Sequence, residues 1–369
     1  MTGGRADGPV RVVLVGAGGM GKAWLSTILA SPSTELAGVV DLDLEVAEKA
    51  AASAGVPDVP LGRDAVELAR ATGAEAVVNV TVPRAHHPVT TAALFAGLPV
   101  LGEKPVADTV ARGLSLVAAS EVSGELFVTS QSRRWNPHVH ALREQARALG
   151  RLGVLTTEFF KAPHFGGFRE DMDHPLLLDM AIHPFDTARF VLDAEPVSVY
   201  CEEFNPPWSW YRGDAGAAAV FEMTGGVRYA YTGSWCSPGR ETSWNGAWRL
   251  SGERGSALWD GDTEPVLETE PPVDPPAVPA VGEGIAGALE AFTAALRGGP
   301  VPTGEVHENV LSLVMVEAAV ESSTSGARVL VDDVLDRAYA RALEQEERED
   351  VRARLASWTS VRGALTPRP

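Results

Sequence analysis

VRVVLVGAGGMGKAW, Val10 to Trp24, decides the fold. A β-branched apolar run ends at Gly16, and KAWLSTILAS follows with apolar residues at helical spacing. Between them Gly16-Ala17-Gly18-Gly19-Met20-Gly21 matches GxGxxG. The first glycine of such a turn permits a tight bend, and the second lets the backbone approach a pyrophosphate. The third lets helix pack close to strand, with the helix N-terminus facing the phosphate charge. The confirming feature is an acid at the end of the next strand, about 20 residues on. Asp41 closes LAGVVD, Leu36 to Asp41, and meets that requirement. Its carboxylate would accept hydrogen bonds from a ribose diol and repel a 2′-phosphate. Leu42 offers no cation for such a phosphate, so NAD is the expected cofactor and NADP the alternative. Asp43 reads as the cap of the following helix.

The alternation continues downstream: AVVNVTV, HHPVTTAALFAG and LPVLGEK read as strand, helix and strand. Strands alternating with helices imply right-handed crossovers and a parallel sheet. After ELFVTSQ the pattern changes. NPHVHALREQARALG reads as a helix; then come VLTTEFFKA, VSVYCEEF, AGAAAVFEM, GVRYAYTGSW and GSALWDG, strand-like runs interrupted by one helix from Pro175 to about Leu192. Gly225-Gly226 is a hairpin-turn candidate. The fold class is α/β: an N-terminal Rossmann doubly wound parallel sheet, plus a C-terminal α/β domain with a large, mainly antiparallel open sheet. We place the dinucleotide domain at 1–132 and the substrate and oligomerisation domain at 133–331, with a helix about 305–322 able to pack back on the first. A helical extension follows at 332–369. Glu270–Gly284 is proline-rich and reads as an extended loop, and no internal repeat is visible.

The chain has 369 residues, 45% of them hydrophobic, enough for two cores. Its net charge of -18 repels phosphate backbones and anionic lipid, which argues against nucleic acid or a membrane as partner. Two cysteines, Cys201 and Cys236, make no disulfide framework. MTGGRADGPV lacks the apolar core of a signal peptide, and no run approaches the ~18 apolar residues of a membrane helix. The expectation is a soluble cytoplasmic protein.

Two further constellations carry chemistry. In a doubly wound sheet, ligands lie beyond the carboxyl ends of the strands, and Gly102-Glu103-Lys104-Pro105 ends one. Pro105 restricts Lys104 to extended geometry, and a cis bond between them is an option. Taken alone, Lys104 reads as a solvated turn lysine. Later, HPLLLDMAIHPFDTARFVL sets Asp179, His183 and Asp186 at i, i+4 and i+7, one face of a regular helix. An Asp one turn before a His can orient the imidazole. Asp173, His174, Asp179 and His183 cluster in sequence, but their spacing fits no common metal motif, and no metal is expected.

Together these motifs, in this order, resemble the Gfo/Idh/MocA oxidoreductases over about residues 9 to 331. VPRAHHPVTTAALFAGLPVLGEKP, RRWNPHVHALRE, HPFDTARFVLDAEPVSV and ESSTSGARVLV add minor matches. The resemblance implies hydride transfer between a nicotinamide cofactor and a carbinol carbon of a sugar, cyclitol or related polyol, in a homodimer or homotetramer joined through the C-terminal sheet. It carries Lys104, Asp179 and His183 over as catalytic residues. The expected cofactor contacts are Gly16, Gly18, Gly19, Met20, Gly21, Asp41, Pro83, His87, Glu103 and Lys104; Lys161 and His164, which follow a strand that should border the crevice, and Asp186 are the expected substrate contacts. Two departures stand out: Leu176, Leu177 and Leu178 replace small residues before the aspartate, and Val82 replaces a threonine before Pro83.

In the mechanism so implied, His183 takes the hydroxyl proton, Asp179 orients His183 and binds a neighbouring hydroxyl, and Lys104 stabilises the developing alkoxide. The competing readings are a non-catalytic dinucleotide-binding sensor, and an enzyme using transient oxidation for glycoside cleavage or dehydration. Six of nine tryptophans fall between Trp208 and Trp259. Most read as sheet core or interface, while FNPPWSWYRG reads as a loop that could overhang the site.

Overall fold

The computed structural model describes residues 8–366. Most of the stretch read for a signal peptide, residues 1–7, lies outside them, as do the extension's last three positions. The chain divides into two compact units.

The first unit opens with β1 (Val10–Val15), α1 (Gly19–Ala30), β2 (Thr34–Val40), α2 (Leu44–Ser53), β3 (Leu61–Gly62), α3 (Ala65–Thr72), β4 (Ala76–Asn79), α4 (Pro83–Phe95), β5 (Val100–Glu103), α5 (Val110–Ser123) and β6 (Phe127–Ser130). The six strands are all parallel, in the order β3-β2-β1-β4-β5-β6. The order reverses between β1 and β4, the switch point where such sheets bind ligands. Both faces are covered, so β4, β5 and β6 are buried throughout. Capping follows the chemistry of short side chains: Asp43, Asp64 and Thr109 each accept a backbone N–H at the start of α2, α3 and α5.

The second unit carries α6 (Pro137–Ala148), β7 (Leu152–Phe160), α7 (Ile182–Leu192), β8 (Pro196–Phe204), β9 (Gly216–Met223), β10 (Arg228–Ser234), β11 (Ala247–Gly252), β12 (Gly255–Trp259) and β13 (Val266–Thr269). With the later β14 (Val329–Leu330) they form an eight-stranded sheet, β13-β12-β11-β7-β10-β9-β8-β14. Its pairings are antiparallel except β7 with β10. Gly225 and Gly226, both at positive φ, sit in the turn joining β9 to β10. One face is a core: Phe185 of α7 meets Phe221, Tyr229 and Tyr231 edge-on, and Tyr229, Trp248 and Trp259 stack in sequence. The bland reading of these aromatics therefore holds for the strand-borne rings.

Glu270–Glu283 contains no helix or strand. Then follow α8 (Gly284–Leu296), α9 (Val306–Ser325), α10 (Val331–Gln345), α11 (Glu349–Ala356) and α12 (Val361–Ala364). The sequence boundaries at 132/133 and 331/332 differ from the grouping by contact. Residues up to Trp135, Gly282–Val310 and the chain from Ala338 onward form the first unit; Asn136–Val281 and Leu311–Arg337 form the second. The reason is burial. Leu289, Phe292 and Leu296 of α8 complete the core built by Leu14, Trp24 and Ile28. The helical extension is not continuous: it is broken at residues 346–348, and α11 packs on α5. The Arg354 guanidinium and the Trp358 indole both donate to Glu121 of α5.

Candidate active site

Each glycine of the first turn has a distinct physical reason. Gly16 lies at φ +98°, and a Cβ there would stand 2.6 Å from the Val80 carbonyl oxygen. A Cβ on Gly21 would stand 2.1 Å from the Gly16 oxygen. Both are forced by close approach of the chain to itself. Gly18 and Gly19, by contrast, face open space. Gly18 is the N-cap of α1 and makes no side-chain cap bond, so a helix N-terminus opens onto an uncluttered cradle, flanked by the half-exposed Met20. Asp41 reaches back to this turn, accepting from the Ala17 amide at 2.9 Å and the Asp43 amide at 3.0 Å. Its position at the carboxyl end of β2 fits a ribose diol. Asp43 caps α2 through the Glu45 amide, and Leu42 is exposed. The residues present thus fit a dinucleotide.

Beyond β4 and β5 the same edge of the sheet carries Pro83, at the first position of α4, and Lys104. The buried Glu103 carboxylate accepts the Trp24 indole N–H at 2.7 Å and the Lys104 amide at 3.0 Å. It thereby fixes the strand end from which the lysine, partly exposed, projects. The Lys104–Pro105 bond is cis. His87 points to α5, where its Nε2 lies 2.9 Å from Ser115 Oγ, and burial lowers its pKa. Its neighbour His86, which sequence reasoning passed over, is 2% exposed and sits between two turns. Its Nδ1 is 2.6 Å from the Pro105 oxygen and its Nε2 2.9 Å from the Thr81 oxygen. Burial lowers its pKa against the pull of both carbonyls. A neutral imidazole has one N–H, so it can donate to only one of them at a time.

In the second unit, the parallel pair β7 and β10 ends at one rim, where residues 161–175, 205–215 and 235–246 gather. Asp179 lies there in a π-helical turn, Leu176–Ala181, that runs into α7. This corrects the expectation of one regular face, because the wider turn changes the phase between Asp179 and α7. Asp179 and His183 remain partly exposed, whereas Asp186 is 1% exposed. Asp186 accepts from Ser312 at 2.6 Å, and Ser312 in turn accepts from Arg189 at 2.7 Å. Leu176 and Leu177 are core; Leu178 is exposed.

The Lys161 ammonium donates to Glu241 at 2.9 Å and lies over the Trp244 ring. His164, exposed, stacks on Trp210 with centroids 3.8 Å apart. The FNPPWSWYRG loop is laced to this segment: Trp210 and Tyr211 donate to the Pro163 oxygen, and the Arg212 amide to the Glu170 oxygen. His174 meets Glu203 at 2.8 Å, which raises the imidazole pKa, and Asp173 meets Arg212. Among the described residues no group of three or more His, Cys, Asp or Glu has metal-holding geometry. Sequence reasoning also missed Arg169, whose Nε donates to Asp179 at 2.6 Å. Its only trace in the sequence is an arginine after the paired glycines of FGGFR.

A doubly wound sheet with a glycine cradle at its switch point, joined to a large mixed sheet, defines a dinucleotide-binding protein. Residues 10–130 match the Gfo/Idh/MocA model described as an oxidoreductase family with an NAD-binding Rossmann fold, and 142–258 match that family's C-terminal domain. The chain belongs to the Gfo/Idh/MocA family. It is 35% identical to inositol 2-dehydrogenase 4 of Saccharopolyspora erythraea over 52% of this chain and 56% of that one. It is 25% identical to 1,5-anhydro-D-fructose reductase of Ensifer adhaerens over 85% and 96%. An oxidoreductase from Agrobacterium radiobacter, solved with NAD+, L-tartaric acid and magnesium, superposes with a TM-score of 0.77 at 17% identity, covering 88% of this chain and 99% of that one. The first unit of this chain is thus a Rossmann region of the NAD-binding family.

Proposed function

We propose that the protein is an NAD-dependent dehydrogenase acting on a carbinol carbon of a sugar, cyclitol or related polyol. The observation that carries this is the exposure pattern: Asp179, in the π turn, and His183, at the start of α7, are partly exposed, while Asp186 is buried against Ser312 and Arg189. NAD, when bound, would supply the hydride acceptor for the carbinol hydrogen and its two bonding electrons. His183 accepts the hydroxyl proton as the C–O bond becomes a carbonyl. Asp179 orients the imidazole and binds a neighbouring hydroxyl. Lys104 donates to the reacting oxygen and stabilises charge developing there. Gly18 and Gly19 give the pyrophosphate its approach, and Asp41 holds the ribose.

Further parts of the reading have separate supports. Cys201 and Cys236 are buried free thiols, and burial pushes Cys201 up to about 12, which suits a reducing cytoplasm. Tyr200, Val220, Leu258 and Val266 are exposed and lie in one register row across the outer sheet face. A second copy of the chain is the occupant we assign to that row, and light scattering on Val220→Arg tests it: an unchanged mass refutes the assignment.

The function is tested by incubating the protein with NAD or NADP and a panel of sugars and cyclitols, following the reduced-nicotinamide absorbance. Turnover with NAD is expected. Cofactor binding with no reduced nicotinamide from any polyol would refute the reading.

A further inference from the structure

We propose that Arg169 selects a substrate bearing a carboxylate close to the reacting carbinol, so that the preferred substrates are sugar acids rather than neutral polyols. This rests on the reading of Asp179 as a substrate contact.

The geometry starts with the loop. Gly166 and Gly167 both take positive φ, and the Gly166 amide closes the bend on Glu170 at 2.8 Å. The bend sets Phe165 and Phe168 beside the Arg169 guanidinium, with centroids 5.2 and 4.9 Å from its carbon. Both rings are exposed, as is 37% of the arginine side chain. Only Nε is used by Asp179. Among the described residues neither terminal nitrogen of Arg169 makes a hydrogen bond. Four N–H donors, in the planar fork that matches a carboxylate two-for-two, are therefore available beside an accessible Asp179. The rings reduce hydration of the cation and hold its plane, which strengthens such a contact.

Arg169 shares its one charge with Asp179 through Nε, so what it offers a second anion is the unused hydrogen-bonding fork more than net charge. The neighbouring cations are already committed, Lys161 to Glu241 and Arg212 to Asp173. Asp179 and Asp173 are likewise paired, so they oppose an incoming carboxylate less than free acids would. A phosphate dianion would ask for a second cation that the rim does not leave free.

The test compares matched probes: glucose with glucuronate, galactose with galacturonate, and glucose 6-phosphate as the phosphate arm. The acids are expected to exceed their neutral partners in kcat/KM by at least about tenfold, mainly through KM, with KM rising with salt. Arg169→Gln is expected to bring the acid-to-neutral ratio near unity, while Arg169→Lys keeps part of it. Equal losses on acid and neutral sugars, with the ratio intact, would make Arg169 a support for Asp179 and overturn the proposal. A preference for the phosphate would also overturn it. Should no sugar be turned over, the dehydrogenase reading fails separately. Calorimetric binding of glucuronate to the NAD-saturated protein, wild type against Arg169→Gln, then decides this inference, and absence of an Arg169-dependent signal refutes it.

Discussion

The Trp24 indole donates to Glu103 across 2.7 Å, joining the first helix after the glycine turn to the strand end that carries Lys104. Trp24 is fully buried and Glu103 is 9% exposed, so the acid at the end of this apolar strand is a structural acceptor. It serves the indole and the Lys104 amide together. A buried donor without an acceptor costs about 1–3 kcal/mol. Glu103→Ala should lower unfolding free energy in urea by that amount and weaken NAD binding. Glu103→Gln, which keeps an acceptor, should lose less. Equal stability of Glu103→Ala and wild type would show that the indole finds another partner.

His183→Ala should bind NAD with unchanged affinity and lose about 10²–10⁴ in kcat. Fluorescence titration of the cofactor and single-turnover kinetics separate the two quantities. Near-normal turnover would remove His183 from proton transfer.

The C-terminal helices are held by a charged cluster with a definite pH signature. Burial alone would raise Glu121, but hydrogen bonds from His307, Arg354 and Trp358 outweigh it and bring the carboxyl to about 2. Burial likewise disfavours charged His307, yet Glu121 and Glu305 raise it to about 9. The carboxylate's contribution is complete above its ordinary 4.5 and is lost as pH falls toward 2. The imidazolium's contribution is complete below 6.5 and is lost as pH rises through about 9. The two shifts share one interaction and are not additive. Denaturation midpoints measured from acid to alkaline pH should therefore be highest between 4.5 and 6.5 as far as this cluster contributes. Glu121→Gln should flatten both arms, and His307→Asn the alkaline arm. Unchanged arms in Glu121→Gln would place the pH dependence elsewhere.

Features with a local physical cause were legible in the sequence. Gly21 is demanded by backbone approach to Gly16, five residues back, Gly16 takes a φ of +98° in the same turn, and Asp41 follows at the length of one helix and one strand. Features set by distant pairing were not. The parallel contact of β7 with β10 joins segments more than 60 residues apart. The wider turn around Asp179 is a change of backbone hydrogen bonding, which leaves no mark in the apolar spacing that predicts a helix. Asp186 read as a site residue from its spacing to His183, but its partners Ser312 and Arg189 hold it in the interior. Arg169 meets Asp179 only because two left-handed glycines turn the loop back, and no periodic pattern encodes that contact.

The glycine turn separates folding from binding within four residues. A methyl on Gly21 would collide with the Gly16 carbonyl at 2.1 Å, a backbone atom that cannot step aside cheaply. Gly21→Ala should therefore destabilise the first unit by about 1–3 kcal/mol, as overpacking does. A methyl on Gly18 would meet no side chain or distant backbone within 4 Å, and the residue sits at φ -69°, a value open to any residue. Gly18→Ala should cost less than Gly21→Ala, about 1 kcal/mol or below, the difference between glycine and alanine at an N-cap. Its methyl would, however, stand where the pyrophosphate approaches the helix N-terminus. NAD affinity, measured by calorimetry, should fall by at least about tenfold. If Gly18→Ala bound NAD as wild type does, the pyrophosphate could not lie against this turn.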